Sequence, residues 1–305
     1  MLATDIGIQG SDLLTLNDLS AQAILDLLDL SAQLQHVHDA PLRGRTIGLL
    51  FRKPSTRTRV SFEVAALELG AHSIYMTEEQ TQLSRGETVA DTAKVLSRYL
   101  QALVVRTGAH AELEAFAEAA TVPVVNALTD RFHPCQVLAD LKTVREAKGT
   151  LAGLEVAWVG DGNNMLQEWI VAAAQLGIRL RAACPAGYDP DPVVLSLPNV
   201  VAHPPTIVRS PAEAVRGADV VITDTWLSMG QKDSDQKRQA FEGFTVDEAL
   251  MAKADSEAIF LHCLPAHRGE EVTDGVLDGT QSVVLDEAEN RLHVQKALLL
   301  AILGE

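Results

Sequence analysis

The stretch FRKPSTRTRVSFE, from Phe51 to Glu63, decides how the rest of the chain is interpreted. It follows the apolar run Ile47–Leu50, which is typical of a buried strand. It leads into apolar residues at helical spacing that stop at Gly70, a residue typical of a helix C-cap. The sequence therefore predicts a strand, a short turn and a helix, the beginning of a βαβ unit.

The turn after this strand concentrates hydroxyl and guanidinium groups, because it reads Ser55-Thr56-Arg57-Thr58-Arg59 directly after Pro54. A helix N-terminus offers unpaired backbone N–H groups and the positive end of the helix dipole, so it attracts anions. Guanidinium groups also match the geometry of a phosphate. An ordinary N-cap with a solvated basic turn is the simpler interpretation, but the cluster is denser than capping requires. The sequence therefore predicts a phosphate site.

Composition and charge exclude several classes of function. The 305 residues exceed the usual size of a single core, which predicts one large or two ordinary domains. A formal net charge of −16 argues against non-specific binding of nucleic acid or of an anionic membrane. Against this acidic background, the basic cluster Arg52–Arg59 stands out as a place for an anionic substrate.

The cysteines and the apolar runs indicate a soluble cytoplasmic protein. Cys135, Cys184 and Cys263 are far apart and odd in number, without a CxxC pair, which favours reduced thiols over disulfides or a zinc site. The first residues show no basic region followed by an apolar core, so we expect no secretory signal. No apolar run approaches the ~20 residues of a membrane span.

Predicted strands and helices alternate along the chain. Strands are predicted at 47–51, 72–76, 102–106, 122–126, 154–159, 178–184, 220–223, 258–262 and 282–285. Helices are predicted at 18–34, 88–100, 109–120, 133–148, 164–176 and 291–303 in addition to the one after the STRTR turn. This order predicts an α/β fold of two doubly wound parallel-sheet domains, with the active site in the cleft between them. Because Gly149 and Gly153 interrupt the pattern, the domains are placed at 1–148 and 149–288.

Arg106 and His133 occupy positions that suit a ligand site. Arg106 ends a predicted strand, and the carboxyl ends of parallel strands face the ligand crevice; a surface arginine is an equal alternative. His133 begins a helix, whose dipole favours a neutral imidazole that can donate one hydrogen bond. A single histidine is more often structural, and Cys135 is most simply a buried thiol.

The sequence Gly160-Asp161-Gly162-Asn163-Asn164 follows a strand and precedes a helix, which invites a dinucleotide interpretation. Met165 stands where GxGxxG needs its third glycine, and no acidic residue clearly ends the next strand. The nucleotide signal is therefore weak. The two asparagines are alternatively ligands for a carboxylate or an amino group, or loop caps.

Asp224 and Cys263 follow two further strands. An aspartate at a strand end suits a cationic amine, with a capping role as the alternative, and the charged tract 231–239 after it is expected to be a mobile loop. Cys263 beside a histidine suggests a thiol nucleophile. However, His262 is its chain neighbour, and neighbouring strand residues point to opposite faces. Cys263 is therefore interpreted as a hydrogen-bonding group or a core thiol.

Together these segments resemble the ornithine carbamoyltransferase family, whose members transfer a carbamoyl group from carbamoyl phosphate to ornithine and give citrulline. The resemblance covers essentially the whole chain. It rests on four motifs: STRTR at Ser55–Arg59, HPCQ at His133–Gln136, DTWLSMG at Asp224–Gly230 and HCLP at His262–Pro265. The first is shared with aspartate carbamoyltransferase, and the third distinguishes the ornithine enzymes.

The resemblance implies a role for each motif. Carbamoyl phosphate would be bound by Ser55, Thr56, Arg57, Thr58, Gln82, Arg106, His133, Gln136, Cys263, Leu264 and Arg291. Ornithine would be bound by Asn164, Asp224, Ser228 and Met229, and the choice of Asn164 over Asn163 rests on the alignment of GDGNN. The catalytic groups would be Arg57, Arg106, His133, Asp224 and Cys263.

The resemblance also implies the assembly and the remaining architecture. Gln82 matches a residue that the family inserts into a neighbouring subunit's site, so a homotrimer with shared active sites is implied. The last helix, 289–305, would pack back on the first domain. No metal or cofactor is implied. The prolines from Pro190 to Pro205 predict that the helix expected there is short or broken.

The reaction chemistry agrees with these roles. The ornithine δ-amine must lose a proton before it attacks the carbamoyl carbon, and Arg57, Arg106 and His133 would stabilise the resulting oxyanion by about 3–4 kcal/mol for each donor. The alternatives are another acceptor (aspartate, putrescine or N-acetylornithine), a nucleotide-binding dehydrogenase and a silent binding protein. The sequence leaves open whether citrulline is made for arginine biosynthesis or broken down.

Overall fold

The computed structural model describes residues 6–35, 40–227 and 235–304. These residues form two compact units: the first extends through Ala139 and resumes at Glu289, and the second is Asp140–Ala288. The break between Ala139 and Asp140 lies within the helix Pro134–Lys148. We place the domain boundary at the end of this helix, after Lys148. That boundary remains a prediction.

The first unit is built on a four-stranded parallel sheet with the order β2-β1-β3-β4. Its strands are β1 (Thr46–Phe51), β2 (His72–Thr77), β3 (Ala102–Arg106) and β4 (Val124–Leu128). Its helices are α1 (Ala21–Leu34), α2 (Thr56–Glu68), α3 (Val89–Leu96), α4 (His110–Ala119) and the start of α5 (Pro134–Lys148), together with short 3-10 helices at Leu16–Asp18, Glu78–Gln80 and Gln82–Arg85. The central strands β1 and β3 are almost wholly buried, as expected for a parallel sheet covered on both faces.

The second unit contains a five-stranded parallel sheet with the order β7-β6-β5-β8-β9. Its strands are β5 (Glu155–Val159), β6 (Arg179–Ala183), β7 (Thr206–Val208), β8 (Val220–Thr223) and β9 (Ile259–His262). Its helices are α6 (Asn164–Leu176), α7 (Pro192–Leu195), α8 (Pro198–Ala202), α9 (Pro211–Val215), α10 (Asp235–Ala240), α11 (Glu248–Met251), α12 (Asp274–Leu277) and the start of α13 (Val284–Leu303). None of the helices described is long and apolar enough to cross a membrane.

The predicted fold class of two parallel α/β sheets is confirmed. In each sheet the strand order reverses next to the first strand, between β1 and β3 and between β5 and β8. Ligands of open α/β sheets bind outside the carboxyl ends of the strands at such a reversal. The motifs singled out in the sequence follow these strand ends: Ser55–Arg59 after β1, Arg106 at the end of β3, Gly160–Asn164 after β5 and Asp224 after β8.

The strand predicted at 282–285 is wrong. Ser282 forms one isolated bridge to Phe260, and α13 begins two residues later at Val284. Acidic residues in the first turn, Asp286 and Glu287, favour a helix start at this place because they interact with the positive end of the helix dipole. The three-residue edge strand β7 was not predicted because it is too short to show a period. The prolines do produce short helices, since α7 and α8 each begin at a proline.

The C-terminal part of α13 is fixed within the first unit by a buried lysine. Lys296 has no exposed surface, and its ammonium donates hydrogen bonds to Glu68 Oε2 at 2.7 Å and to the Leu34 carbonyl at 3.1 Å. These contacts join α13 to α2 and α1. They set the position of Arg291, which lies about 1.4 turns earlier on the same helix.

Candidate functional site

The STRTR turn forms the N-terminus of α2, as predicted. Ser55 is the N-cap residue: its hydroxyl oxygen accepts a hydrogen bond from the Thr58 N–H at 3.4 Å, and its hydroxyl donates to Thr58 Oγ1 at 3.0 Å. Thr58 is fully buried, whereas Thr56 is exposed and Arg57 is half-buried. The turn therefore combines a helix N-terminus with a guanidinium group, the arrangement that an anion requires.

Arg291 joins three separate helices at this turn. Its Nη2 donates to Thr58 Oγ1 and its Nη1 donates to Gln136 Oε1, each at 2.8 Å. Arg291 and Gln136 are both almost completely buried. Thus the hydroxyl of α2, the amide of α5 and the guanidinium of α13 are held in one cluster.

His133 and Arg106 are buried in the same unit. The pKa of His133 is well below its usual value, first because burial disfavours the charged ring and then because Arg291 and Arg106 are positive. The imidazole is therefore neutral, as predicted from its position at the start of α5. Its Nδ1 has no hydrogen-bond partner among the residues that the structure describes.

Most of the other cations near the turn are paired with acidic side chains. Arg52 forms ion pairs with Glu78 and Glu112, and its hydrogen bond to Glu78 is the main cause that lowers the pKa of that carboxyl. Arg59 pairs with Glu63 at 3.0 Å and lies 3.9 Å from the centre of the Tyr75 ring. Arg57, by contrast, has no ion-pair partner in the described part of the chain. The broad basic cluster of the sequence is thus reduced to one guanidinium able to bind a ligand.

In the second unit, Asp224 is held by three donors. Its Oδ2 accepts from Asn163 Nδ2 at 2.7 Å, and its Oδ1 accepts from the Thr225 N–H at 2.7 Å and from the Cys263 thiol at 3.2 Å. Asp224 is only 8% exposed. Its carboxylate therefore has a fixed orientation just beyond the end of β8.

Cys263 is a hydrogen-bond donor and not a nucleophile. Burial raises the pKa of its thiol well above the usual value, and the negative charges of Asp224 and Glu287 raise it further. The thiol therefore stays protonated and donates to Asp224. This agrees with the interpretation of Cys263 as a hydrogen-bonding group at a strand end, because an attacking cysteine must be a thiolate.

The two neighbouring asparagines have different surroundings. Asn163 caps α6, since its Oδ1 accepts from the N–H groups of Met165 and Leu166, while its amide nitrogen is bonded to Asp224. Asn164 is the first residue of α6 and is 9% exposed. Gln82 lies on the surface of the first unit, in the 3-10 helix Gln82–Arg85. Ser228 and Met229 lie outside the described residues.

Packing of the chain accounts for the second glycine of the Gly160–Asn164 loop. A Cβ atom on Gly162 would lie 2.5 Å from the Asp189 carbonyl oxygen and from the Pro190 nitrogen. The Gly162 N–H donates to the Tyr188 carbonyl at 2.9 Å. This glycine is therefore required by a close approach of two backbone segments, and no nucleotide is needed to explain it.

Sequence reasoning missed a buried ion pair beside this loop. We predicted a mobile loop over 231–239, but its last part belongs to α10, and positions 231–234 lie outside the described residues. Lys237 on α10 is 7% exposed and donates to Asp161 Oδ2 at 2.7 Å. Its ammonium lies 5.3 Å from the centre of the Tyr188 ring and 5.5 Å from that of Phe241. The helical spacing of Lys237 and Phe241 was the available signal.

Comparison with known proteins reveals similarity along the whole chain. Residues 11–146 match the family model described as aspartate/ornithine carbamoyltransferase, carbamoyl-P binding domain, and residues 152–302 match the Asp/Orn binding domain of the same family. An ornithine carbamoyltransferase from Rhizorhabdus wittichii is 55% identical over 87% of this chain and 86% of its own length. One from Syntrophus aciditrophicus is 49% identical over 94% and 98%.

Solved structures agree with these relatives. The ornithine carbamoyltransferase from Pyrococcus furiosus superposes with a TM-score of 0.93 at 45% identity, covering 97% of this chain and 98% of its own. The enzyme from Thermus thermophilus gives 0.88 at 43% identity, covering 95% and 97%.

The Lys237–Asp161 pair generates a stability prediction. Lys237→Met leaves a buried carboxylate without its cation, which costs about 3–5 kcal/mol. Urea unfolding monitored by tryptophan fluorescence reports on the second unit, because it contains all three tryptophans, Trp158, Trp169 and Trp226. The matched control is Lys253→Met, which removes the same charge from an exposed position. Equal midpoints for the two variants would contradict the prediction.

The sign of the pH dependence follows from the aspartate. Burial raises the pKa of Asp161, and Lys237 opposes this rise. A carboxyl group whose pKa is higher in the folded than in the unfolded chain destabilises the folded state as the pH rises, because it ionises more readily after unfolding. Removing Lys237 enlarges the difference between the pKa of Asp161 in the folded and in the unfolded chain. The loss of unfolding free energy in Lys237→Met should therefore be greater at neutral pH than at acidic pH, where Asp161 binds a proton.

Proposed function

The chain belongs to the aspartate/ornithine carbamoyltransferase family, and we propose that it transfers the carbamoyl group of carbamoyl phosphate to the δ-amine of L-ornithine, giving L-citrulline and phosphate. The observation that carries this proposal is the cluster in which Arg291 joins the Ser55–Thr58 turn to Gln136. The choice of ornithine is supported by relatives that match this chain over nearly their full length and are named ornithine carbamoyltransferases.

Carbamoyl phosphate would bind to the first unit. The N-terminus of α2, the hydroxyls of the STRTR turn and Arg57 supply donors to the phosphate. Arg106 and the neutral imidazole of His133 would donate to the carbamoyl oxygen. Each such donor typically stabilises the developing oxyanion by about 3–4 kcal/mol. Gln136, oriented by Arg291, would form a hydrogen bond with the carbamoyl amide. Arg291 would add positive charge to the same site.

Ornithine would bind to residues of the second unit. Asn163 uses its side chain to cap α6 and to hold Asp224. Asn164 is proposed as the substrate contact because the alignment of GDGNN implies it. The fixed carboxylate of Asp224 would receive the cationic amine, with Ser228 and Met229 as further ligands. Cys263 and Leu264 would lie beside the carbamoyl group.

The order of proton and bond changes follows from these groups. The ornithine ammonium first gives one proton to solvent, and the neutral amine attacks the carbamoyl carbon while the carbonyl oxygen becomes an oxyanion. The C–O bond to phosphate breaks as the carbonyl reforms. The leaving phosphate takes the second proton, which the nitrogen carries after the attack. The Cys263 thiol donates to Asp224, and the transfer needs no covalent enzyme intermediate. Holding both substrates in the attacking geometry would supply much of the rate.

We propose a homotrimer in which Gln82 reaches the active site of a neighbouring subunit, a role compatible with its exposed position. The three cysteines without a CxxC pair support a reducing compartment, and hence a cytoplasmic enzyme. Light scattering of the purified protein would test the trimer.

The first experiment is a citrulline-forming assay in which carbamoyl phosphate and ornithine are each omitted in turn. Product should form with both substrates present and in neither control. A panel of putrescine, N-acetylornithine and aspartate tests the acceptor, and ornithine should be the preferred one. Carbamoylation of another amine with higher kcat/KM would replace ornithine as the substrate.

Arg57→Ala should nearly abolish turnover in a folded protein. Arg57 is the guanidinium of the turn without an ion-pair partner in the described part of the chain, and removal of a donor to developing charge typically lowers kcat by about 10²–10³-fold. Arg59→Ala is the matched control because Arg59 is paired with Glu63. Near-normal activity of Arg57→Ala would remove the phosphate site from this turn, and equal losses in both variants would contradict the assignment of the phosphate to Arg57 over Arg59.

Asp224→Asn should raise the KM for ornithine by about 10- to 100-fold, the loss expected for one charged hydrogen bond. The KM for carbamoyl phosphate should stay close to that of the unmodified protein. Asp247→Asn is the control, because Asp247 caps α11 in the same unit and asparagine also caps helices. If the KM for carbamoyl phosphate rose instead, the proposed assignment of substrates to the two units would be wrong.

A further inference from the structure

Leu264, which follows Cys263, has an unusual backbone conformation. Its φ is +56°, in the left-handed region that leucine rarely adopts. The Leu264 N–H donates a hydrogen bond to His262 Nδ1 at 2.9 Å, and its side chain packs against the apolar core of the second unit. The penalty of the left-handed region is comparable with the net contribution of one buried hydrogen bond. This bond is therefore large enough to offset the penalty of the left-handed conformation.

The ring of His262 is in one defined tautomer. Its Nδ1 must be unprotonated, because the Leu264 N–H can only donate. The proton is then on Nε2, which donates to Glu271 Oε1 at 3.2 Å. Both side chains are completely buried. The carboxylate therefore selects the tautomer that can accept from Leu264.

Further contacts hold this pair in place. Glu271 Oε1 also accepts from the His267 N–H at 2.5 Å, so the loop after the turn is tied to the same carboxylate. The N–H of His262 donates to Glu287 Oε2 at 2.9 Å, at the beginning of α13. The position of the His262 ring is thus set by the backbone bond to Glu287 and by the side-chain bond to Glu271.

We propose that His262 and Glu271 are positioning residues of the transfer reaction: Glu271 fixes the tautomer of His262, and His262 holds Leu264 in the left-handed conformation. Neither residue would touch a substrate. They would act through the Cys263–Leu264 turn, whose groups lie beside the carbamoyl group in the proposed function, on which this inference rests. A displacement of about 1 Å at such a place can lower the rate by about 10²-fold.

Two substitutions of His262 separate its two nitrogens. His262→Asn can place its amide oxygen near the position of Nδ1, so it preserves an acceptor for Leu264 and should retain most of the activity. His262→Gln can replace Nε2 but not Nδ1, and should lower kcat/KM for carbamoyl phosphate by about 10²-fold. Kinetics of His262→Gln like those of the unmodified protein, or equal losses in both variants, would overturn the proposal.

The inhibition constant of inorganic phosphate distinguishes a positioning role of His262 from general damage to the structure, because only general damage would change it. Phosphate would bind to the Ser55–Thr58 turn of the first unit, so its inhibition constant should be the same in His262→Gln and in the unmodified protein. Weakened phosphate inhibition in parallel with the loss of kcat/KM would indicate only structural damage and would reject the positioning role.

A second pair of variants tests the carboxylate. Glu271→Gln keeps an oxygen that accepts from His262 Nε2 and from the His267 N–H. It should therefore stay close to full activity. Glu271→Leu removes the acceptor and should show the same defect as His262→Gln. Equal activities of the glutamine and leucine variants would contradict the role of Glu271.

The crystal structure of His262→Gln distinguishes a failure of this inference from a failure of the proposed function. If the unmodified protein forms no citrulline, the proposed function fails, and with it the catalytic role of the turn. The structural part is then decided by Leu264: departure from the left-handed region supports the control by His262, and a φ still near +56° overturns it.

Discussion

The buried guanidinium of Arg291 is the contact on which the first half of the site depends. It bonds to Thr58 and Gln136, which are 233 and 155 residues away in the chain, and both bonds are 2.8 Å long. A buried charge is tolerated only where its donors find partners, so the last helix can dock in only one register. Lys296, further along the same helix, imposes the same register through Glu68. The docking of α13 therefore completes the hydrogen-bonded cluster that Thr58 of α2 and Gln136 of α5 begin.

Desolvation acts on the two central hydrogen-bonding groups in opposite directions with one chemical result. It lowers the pKa of His133 and raises the pKa of Cys263, because in both cases burial disfavours the charged form. The imidazole and the thiol are therefore both neutral donors. Neighbouring charges strengthen each effect: arginines lie near the histidine, and carboxylates lie near the cysteine. The surroundings of His133 suit the stabilisation of an oxyanion, and those of Cys263 suit a hydrogen-bond donor better than a nucleophile.

The sequence predicted the sheets and the strand ends well because a parallel strand buried on both faces is a continuous apolar run. It therefore predicted the placement of Arg106 and Asp224. It could not show that Arg291 bonds to Thr58, since that contact depends on how distant helices pack. Lys237 was missed because a charged tract usually indicates solvent, whereas here the charge is buried against Asp161. The prediction of a strand at 282–285 was wrong because a short apolar run does not distinguish a strand from the first turn of a helix.

The close approach at Gly162 limits how this loop can change during evolution. Every amino acid other than glycine carries a Cβ atom, and here that atom would collide with the backbone of Asp189 and Pro190, which cannot move aside as a flexible side chain can. No codon change at this position gives a residue that fits without remodelling the facing loop. Position 162 and the segment opposite it are therefore expected to change only together.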